Sequence, residues 1–309
     1  MTLQQLEYVI ALDNHRHFVT AAEKCFVSQP NLTTQVKKLE DEIGIRIFDR
    51  DKKPLKPTAL GEQFIRKARQ IMREVEQLKE SISSEKESIT GEFTLGIIPT
   101  LAPYLLPKFL PDFVKAYPET QLTIRELTTN QIIDQLNNGI LDMGVLATPL
   151  EVSSLREIPL FYEPFVLFAP KDHPYRKIKQ FTSDQLDTQR LLLLTDGHCF
   201  REQALQICQG MKIKNKMGFN FQSGSIEALK GLVKQGVGYT LIPELSISAP
   251  ADEEHIKRFA APEPVREVSL VVHHSFAKEA LIENLRNEIQ KGIPEHLKKG
   301  KKFRRVQWR

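Results

Sequence analysis

Cys199 and Cys208 are the two side chains of this sequence best suited to reversible oxidation. Cys199 directly follows Asp196, Gly197 and His198, and the second thiol comes nine positions later. Two thiols one short segment apart can exchange between a free dithiol and a disulfide. The spacing therefore indicates redox chemistry.

The segment between the two cysteines predicts a helix that holds the sulfurs apart. Phe200, Ala204, Ile207 and Cys208 share one face at helical spacing. On an unbroken helix the cysteines lie roughly 13 Å apart, at about 1.5 Å of rise per residue. A disulfide allows a Cα separation of only about 7 Å. If the sulfurs bond, this helix must come apart, so oxidation would also change the conformation.

The cysteines allow two other interpretations. A zinc site built from Asp196, His198, Cys199 and Cys208 would use suitable ligand types, but their spacing matches no standard zinc pattern. The third cysteine, Cys25, lies on the packed face of a short helix and is expected to be an inert core residue. We therefore expect no metal and no cofactor.

Composition places the chain among ordinary globular proteins. Its 309 residues allow two or three compact units, and 41% are apolar and 27% charged. No apolar run approaches the about 20 residues of a membrane span, so no membrane partner is expected. The first residues include Glu7 and Asp13 and lack the features of a secretion signal. The expected location is the cytoplasm, where disulfides tend to be transient and regulatory.

The positive net charge comes from the carboxyl terminus. Residues 298–309 contain seven Lys or Arg and no acid, and the remaining chain has 36 basic and 39 acidic residues. We expect this basic tail to be a solvated end. Contact with nucleic-acid phosphates is the alternative.

Residues 1–58 predict a winged helix-turn-helix. Two short helices precede a third, which Ser28 caps, Pro30 favours in its first turn and Gly44 ends. The exposed face of this third helix has amides, hydroxyls and positive charges, which can bind base edges and phosphates. The segment 46–58 that follows is basic and resembles a wing lying along the DNA backbone. The candidate DNA-binding residues are Ser28, Gln29, Pro30, Asn31, Thr33, Thr34, Gln35, Lys37, Lys38, Arg50, Lys52 and Lys53.

Residues 59–89 predict one long helix with an apolar seam. The apolar side chains recur every three or four positions, which favours pairing with a second copy of the chain. The alternative is a packed helix whose basic residues between 66 and 73 form a solvated face. The seam consists of Leu60, Phe64, Ala68, Ile71, Val75, Leu78 and Ile82.

After Thr90-Gly91 the pattern changes to short β-type runs that alternate with helices. This alternation predicts α/β units with mainly parallel sheets. Two lobes are expected, one from 92–163 with 268–300 and the other from 164–267. Ligands usually lie at the carboxyl ends of such strands or between domains. Cys199 follows the Leu-rich run 191–194 and should face such a crevice.

The sequence AAEKCFVSQPNLTTQVKKLEDEIG at 21–44, followed by IRIFDR, resembles the signature of the LysR-type transcriptional regulators. The similarity extends to about residue 290 and excludes the tail. It implies a winged helix-turn-helix over 1–58, a linker helix over 59–89, and a two-lobed α/β regulatory domain over 90–309 with the periplasmic-binding-protein fold. The segments GIIPTLAPYLLP and DGHCFREQALQIC are closest to peroxide-sensing members of the family.

This resemblance also implies a mechanism and partners. Cys199 would be the peroxidatic thiol and Cys208 the resolving one, and the protein would not be an enzyme. The expected partners are hydrogen peroxide, promoter DNA and further copies of the chain in a dimer of dimers, with RNA polymerase as a further candidate. Lys230 stands where the peroxide sensors usually have an arginine. The peroxide pocket would comprise Thr100, Thr129, Gly197, His198 and Arg266.

Two other functions remain open on the residues alone. A LysR-type regulator with incidental thiols would bind a small metabolite between the lobes. A thiol peroxidase would need sustained turnover with a reductant and would have no use for residues 1–60.

Overall fold

The computed structural model describes residues 1–52, 54–82, 89–195, 199–208, 221, 223–298 and 303–307. The chain divides into two compact units. One contains the amino-terminal region with residues 138–140 and 275–277, and the other contains most of the remaining chain. Within these described ranges, no helix is long and apolar enough to cross a membrane.

The amino-terminal unit begins with three helices, α1 (Leu3–His15), α2 (Phe18–Lys24) and α3 (Gln29–Ile43). The Ser28 hydroxyl accepts a hydrogen bond from the backbone N–H of Asn31 at 3.4 Å, which caps α3. Gly44 ends the helix in the left-handed region, with φ of 71°. The sequence signals for this helix are therefore confirmed.

A two-stranded wing follows, in which β1 (Phe48–Asp49) pairs antiparallel with β2 (Lys56–Pro57). The buried Glu40 side chain ties this wing to α3. Its carboxylate accepts the backbone N–H groups of Ile47 at 2.7 Å and Phe48 at 3.2 Å. The same carboxylate pairs with Arg50 at 2.8 Å. Arg50, expected on the DNA, thus also has a structural partner.

The next element is the long helix α4 (Ala59–Ile82), which packs on α1. The alternative prediction for this helix, a solvated basic face, is wrong at Arg69, because this side chain is buried. Its guanidinium donates to Asp13 of α1 at 2.8 Å. A buried arginine needs such a partner to offset the loss of its hydration.

The second unit alternates strands and helices, as the sequence indicates. Among the residues that the structure describes here, six α-helices lie beside the strands, and β6 is the longest strand. The elements are β3 (Gly91–Ile97), α5 (Ala102–Ala116), β4 (Thr120–Glu126), α6 (Thr129–Asn137), β5 (Met143–Thr148), β6 (Leu155–Phe168), β7 (Leu191–Leu192), α7 (Cys199–Ile207), α8 (Ile226–Lys234), β8 (Tyr239–Pro243), β9 (Ile256–Arg258), β10 (Glu263–His273), α9 (Glu279–Gly292), α10 (Glu295–Lys298) and β11 (Phe303–Arg305).

The sheet order is β4-β3-β5-β10-β6-β8-β7, and its centre corrects the expectation of mainly parallel sheets. β3 runs parallel to β4 and β5, and β7 runs parallel to β8. At the centre, β6 and β10 pair antiparallel with each other over their length. They carry the chain from one lobe to the other and back, so they must run in opposite directions. Both cross the expected lobe boundaries, which stay predictions.

The basic tail is not a solvated end over residues 303–307. β11 pairs in parallel with β10, and Val306 beyond it is buried. The expectation was wrong because a charged run indicates exposure by composition, whereas β10 offers an edge that backbone hydrogen bonds can fill.

Candidate functional site

Both thiols sit at the ends of α7. Cys199 is the first residue of the helix and is 4% exposed, and Cys208 follows its last turn and is fully buried. The backbone N–H of Cys208 donates to Ala204 at 3.2 Å, so helical bonding continues up to the second cysteine. Both cysteines are free. In this form an intact helix separates the sulfurs, as the sequence predicts.

Three of the expected pocket residues converge near Cys199. Thr100 lies in the turn between β3 and α5, Thr129 begins α6, and Arg266 lies in β10. The Arg266 guanidinium donates to the Thr100 hydroxyl at 2.8 Å and to the Thr100 carbonyl at 3.2 Å. Arg266 and Thr129 both act on Cys199, since each lowers the pKa of its thiol.

The Thr129 hydroxyl is the unsatisfied group of this pocket. Its oxygen is buried and has no hydrogen bond of ordinary geometry to any part of the chain that the structure describes. It nevertheless lies close enough to Cys199 to lower the pKa of that thiol. A buried hydroxyl beside the thiol can donate a hydrogen bond to a small polar molecule or accept one from it.

Burial dominates the electrostatics of Cys199. It raises the pKa of the thiol above its ordinary value, and Thr129, Arg266 and backbone N–H groups at the helix start oppose this shift. These groups favour the thiolate, but desolvation outweighs them. For Cys208, burial raises the pKa to about 11. In this form both cysteines favour the neutral thiol.

Sequence reasoning missed Glu163, a fully buried carboxylate in β6. It accepts from Arg266 Nε at 2.8 Å and from the backbone N–H of Leu245 at 2.8 Å. Burial raises the pKa of Glu163, and the charge of Arg266 opposes that shift. An acid inside the apolar run EPFVLF was the available signal, because a buried charge needs a partner.

The Phe200 ring packs against the Arg266 guanidinium. The Arg266 carbon Cζ lies 5.4 Å from the centre of the Phe200 ring, and this ring stacks on Phe165 at 5.1 Å. Arg266 is therefore held by an acid, a threonine and an aromatic face, so its orientation toward Cys199 is determined before any ligand binds.

Lys230 does not take the place of an arginine at the thiol. Its ammonium lies in α8, pairs with buried Asp252 at 2.6 Å and donates to the Ser246 carbonyl at 2.8 Å. The cation that lowers the pKa of Cys199 is Arg266.

The candidates Gly197, His198 and Lys53 lie outside the described residues. Asp196, weighed as a zinc ligand, lies outside them as well. Where the chain is described, no group of three His, Cys, Asp or Glu side chains is placed to hold a metal ion.

The candidate DNA-binding face of α3 is largely open to solvent. Thr33 and Gln35 are half-buried and have partners within the unit: the Thr33 hydroxyl donates to the Gln29 carbonyl at 2.9 Å, and Gln35 accepts from Gln5 at 3.3 Å. Lys52 in the wing lies 3.7 Å from Asp49. The fully exposed candidates on and before α3 are Ser28, Gln29, Pro30, Asn31, Thr34, Lys37 and Lys38.

A winged helix-turn-helix ahead of a two-lobed α/β domain defines a DNA-binding regulator with a separate signal-receiving domain. Residues 3–62 match the bacterial regulatory helix-turn-helix of the lysR family, and residues 86–293 match the LysR substrate binding domain. The chain belongs to the LysR family of transcriptional regulators.

Individual relatives are similar over nearly the whole chain. A hydrogen peroxide-inducible genes activator from Dickeya chrysanthemi is 35% identical over 97% of this chain and 98% of its own. Full-length OxyR from Pseudomonas aeruginosa, solved as a variant, superposes with a TM-score of 0.82 at 33% identity, covering 94% of this chain and 98% of the other. A hydrogen-peroxide-bound OxyR variant from Corynebacterium glutamicum has a TM-score of 0.61 at 28% identity, covering 94% and 92%.

Proposed function

We propose that this protein is a peroxide-responsive transcriptional regulator in which Cys199 is the sensing thiol. The observation that carries the proposal is the pocket itself. Thr129 and Arg266 both act on a buried thiol at a helix start, and a hydrogen bond to Thr100 fixes Arg266. Relatives of matching length are named as peroxide-inducible activators, which supports the same signal.

Hydrogen peroxide fits the chemistry of the pocket because each of its hydroxyl groups both donates and accepts. The Cys199 sulfur attacks one peroxide oxygen, the O–O bond breaks, and the leaving hydroxide takes a proton to become water. Arg266 and the threonine hydroxyls would stabilise the charge that develops on the leaving oxygen. The product is a sulfenic acid on Cys199.

Cys208 would then resolve this sulfenic acid. Its sulfur attacks the Cys199 sulfur, the S–O bond breaks, and water leaves as the disulfide forms. Nine residues of helix keep the cysteines roughly 13 Å apart, about twice the limit for a disulfide. Unwinding of α7 is therefore part of the reaction. Burial also raises the pKa of Cys208, so its thiolate becomes available as the helix opens.

Repacking of the regulatory domain would change DNA binding by changing how copies of the chain associate. The seam of α4 leaves Leu60 55% and Ile71 40% exposed, which supports pairing of two chains along this helix. A dimer with two α3 helices would bind half-sites about one helical turn or a multiple apart. We propose that oxidation alters this spacing, and that the dimers pair further into a tetramer.

The test compares promoter footprints of the wild-type and Cys199→Ser chains before and after peroxide. The wild-type footprint should change, and that of Cys199→Ser should not. Cys25→Ser is the matched control and should respond as the wild type does. A Cys199→Ser chain that still responds normally would refute the assignment.

Further readouts separate the remaining functions. Cys208→Ser should accumulate a sulfenic acid that dimedone labels, with little change in the footprint. A metabolite-responsive regulator would leave the Cys199–Cys208 pair reduced under peroxide, as read by mass spectrometry. A thiol peroxidase would consume many equivalents of peroxide when a reductant is supplied, whereas a sensor consumes about one per thiol pair.

A further inference from the structure

Residues 303–307, called here the C-terminal segment, form an added strand on the regulatory domain. Phe303, Arg304 and Arg305 pair in parallel register with residues 263–265 of β10. The backbone N–H of Val306 continues the pairing by donating to the Val265 carbonyl at 2.8 Å. The family match ends at residue 293, so this segment lies outside the part of the chain that the family defines.

The side chains of Phe303 and Arg305 hold the C-terminal segment on the regulatory domain. Arg305 donates to Glu267 at 2.7 Å, and Glu267 is buried. The Phe303 ring packs on Tyr162 with 4.7 Å between ring centres. Departure of the segment would leave a buried carboxylate without its cation, which is costly. These contacts therefore stabilise the docked position of the C-terminal segment.

Val306 of the C-terminal segment contacts α7, the helix between the two cysteines. Val306 is 5% exposed and belongs to the same apolar cluster as Phe200, Ala204, Ile207 and Cys208. Gln203 of α7, whose side chain is fully buried, donates from Nε2 to the Val306 carbonyl at 3.1 Å. Both contacts involve the helix that a Cys199–Cys208 disulfide would unwind.

We propose that the C-terminal segment is a clamp on the reduced form: its docking stabilises α7, and disulfide formation releases it. The inference rests on the proposed peroxide chemistry for the release, but the clamp on the reduced helix stands without it. Coupling between two sites is reciprocal, so loosening the segment must loosen α7 by the same factor as opening α7 loosens the segment.

The first experiment needs no oxidant. Hydrogen exchange of the α7 amides is compared by mass spectrometry in the reduced full-length wild type and in Val306→Asp, which places a charge in the apolar cluster. Exchange of α7 should accelerate about tenfold, within the usual range of coupling between sites. Arg304→Ala, at an exposed position of the same strand, is the matched control and should change it little.

A second variant allows the proposal to be tested even if Val306→Asp does not fold. Gln203→Leu keeps a similar side-chain size and removes the bond to Val306 together with the buried Oε1, which has no hydrogen bond within the described residues; it should speed exchange of the C-terminal segment several-fold. If Val306→Asp or Gln203→Leu frees the segment while α7 exchange stays at the wild-type rate, the clamp is refuted.

The second experiment follows release in the wild type. After peroxide treatment, with the disulfide verified by mass spectrometry, exchange of the C-terminal segment should rise about tenfold. If the C-terminal segment exchanges as slowly in the disulfide form as in the reduced form, the proposed release is refuted. The peroxide assignment is unaffected by that result. If no disulfide forms, the peroxide chemistry fails, and the reduced-state comparison alone decides the clamp.

Discussion

Ile207 offers a direct measurement of whether α7 opens on oxidation. Its side chain is fully buried in the last turn of α7, within the cluster that includes Cys208 and Val306. If the disulfide form unwinds the helix, Ile207 loses this environment. Ile207→Val should then destabilise the reduced form and leave the oxidised form unaffected, so the reduction potential of the disulfide becomes more negative.

The size of the shift follows from the burial. Removing one buried methylene from an isoleucine costs about 0.5 to 1.5 kcal/mol. For a two-electron couple, 30 mV corresponds to about 1.4 kcal/mol. Ile207→Val should therefore lower the potential by about 10 to 30 mV, and Ile207→Ala, at about 2 to 5 kcal/mol, by roughly 40 to 110 mV.

The assay equilibrates each chain with dithiol–disulfide buffers and quantifies the Cys199–Cys208 disulfide by mass spectrometry. Ile289→Val is the matched control, because Ile289 is as fully buried but lies in α9. The control should lose a similar free energy of unfolding and keep its potential. An unchanged potential in Ile207→Val would mean that Ile207 stays packed in the disulfide form, and an equal shift in the control would mean that the effect is not specific to α7.

Three further results are expected. In a chain with Cys25→Ser and Cys199→Ser, the NMR shift of the Cys208 Cβ carbon should titrate with a midpoint at about pH 11, because burial raises the pKa of that thiol to about 11; a midpoint near pH 8.5 would contradict this. Thr129→Val should slow peroxide oxidation of Cys199 about 10- to 100-fold, measured by quenched thiol counting, with little change in melting temperature, since its hydroxyl has no full partner to lose. Glu163→Gln should lower the free energy of unfolding in urea by about 3 to 5 kcal/mol, because it strands the Arg266 charge; a loss below about 1 kcal/mol, as for an exposed pair, would refute the buried pairing.

The DNA-binding unit could be read from sequence because its signals are local. Ser28, Pro30 and Gly44 act within one or two turns of α3, and the apolar stripe of that helix needs only the helical period. The same holds for α7, whose length between Cys199 and Cys208 predicts the separation of the sulfurs. Backbone geometry over a few residues determines such features, whatever the rest of the chain does.

The sheet centre and the C-terminal segment could not be read in this way. The directions of β6 and β10 depend on which lobe each strand enters, and a β-type run has no signal for direction. The basic tail indicates exposure, yet a free strand edge and the buried Glu267 hold its residues 303–306 in place. Its partners lie far away in the sequence.

The sequence by itself determined the fold of the DNA-binding unit, the helix between the thiols and the chemistry open to them. Only the tertiary structure decided that Thr129 and Arg266 act on Cys199, that Thr100 and Glu163 hold the arginine, and that burial outweighs Thr129 and Arg266 in setting the pKa of the thiol. The physical reason is that hydration and charge pairing depend on distance in space, and residues 100 and 266 meet only after the sheet has formed.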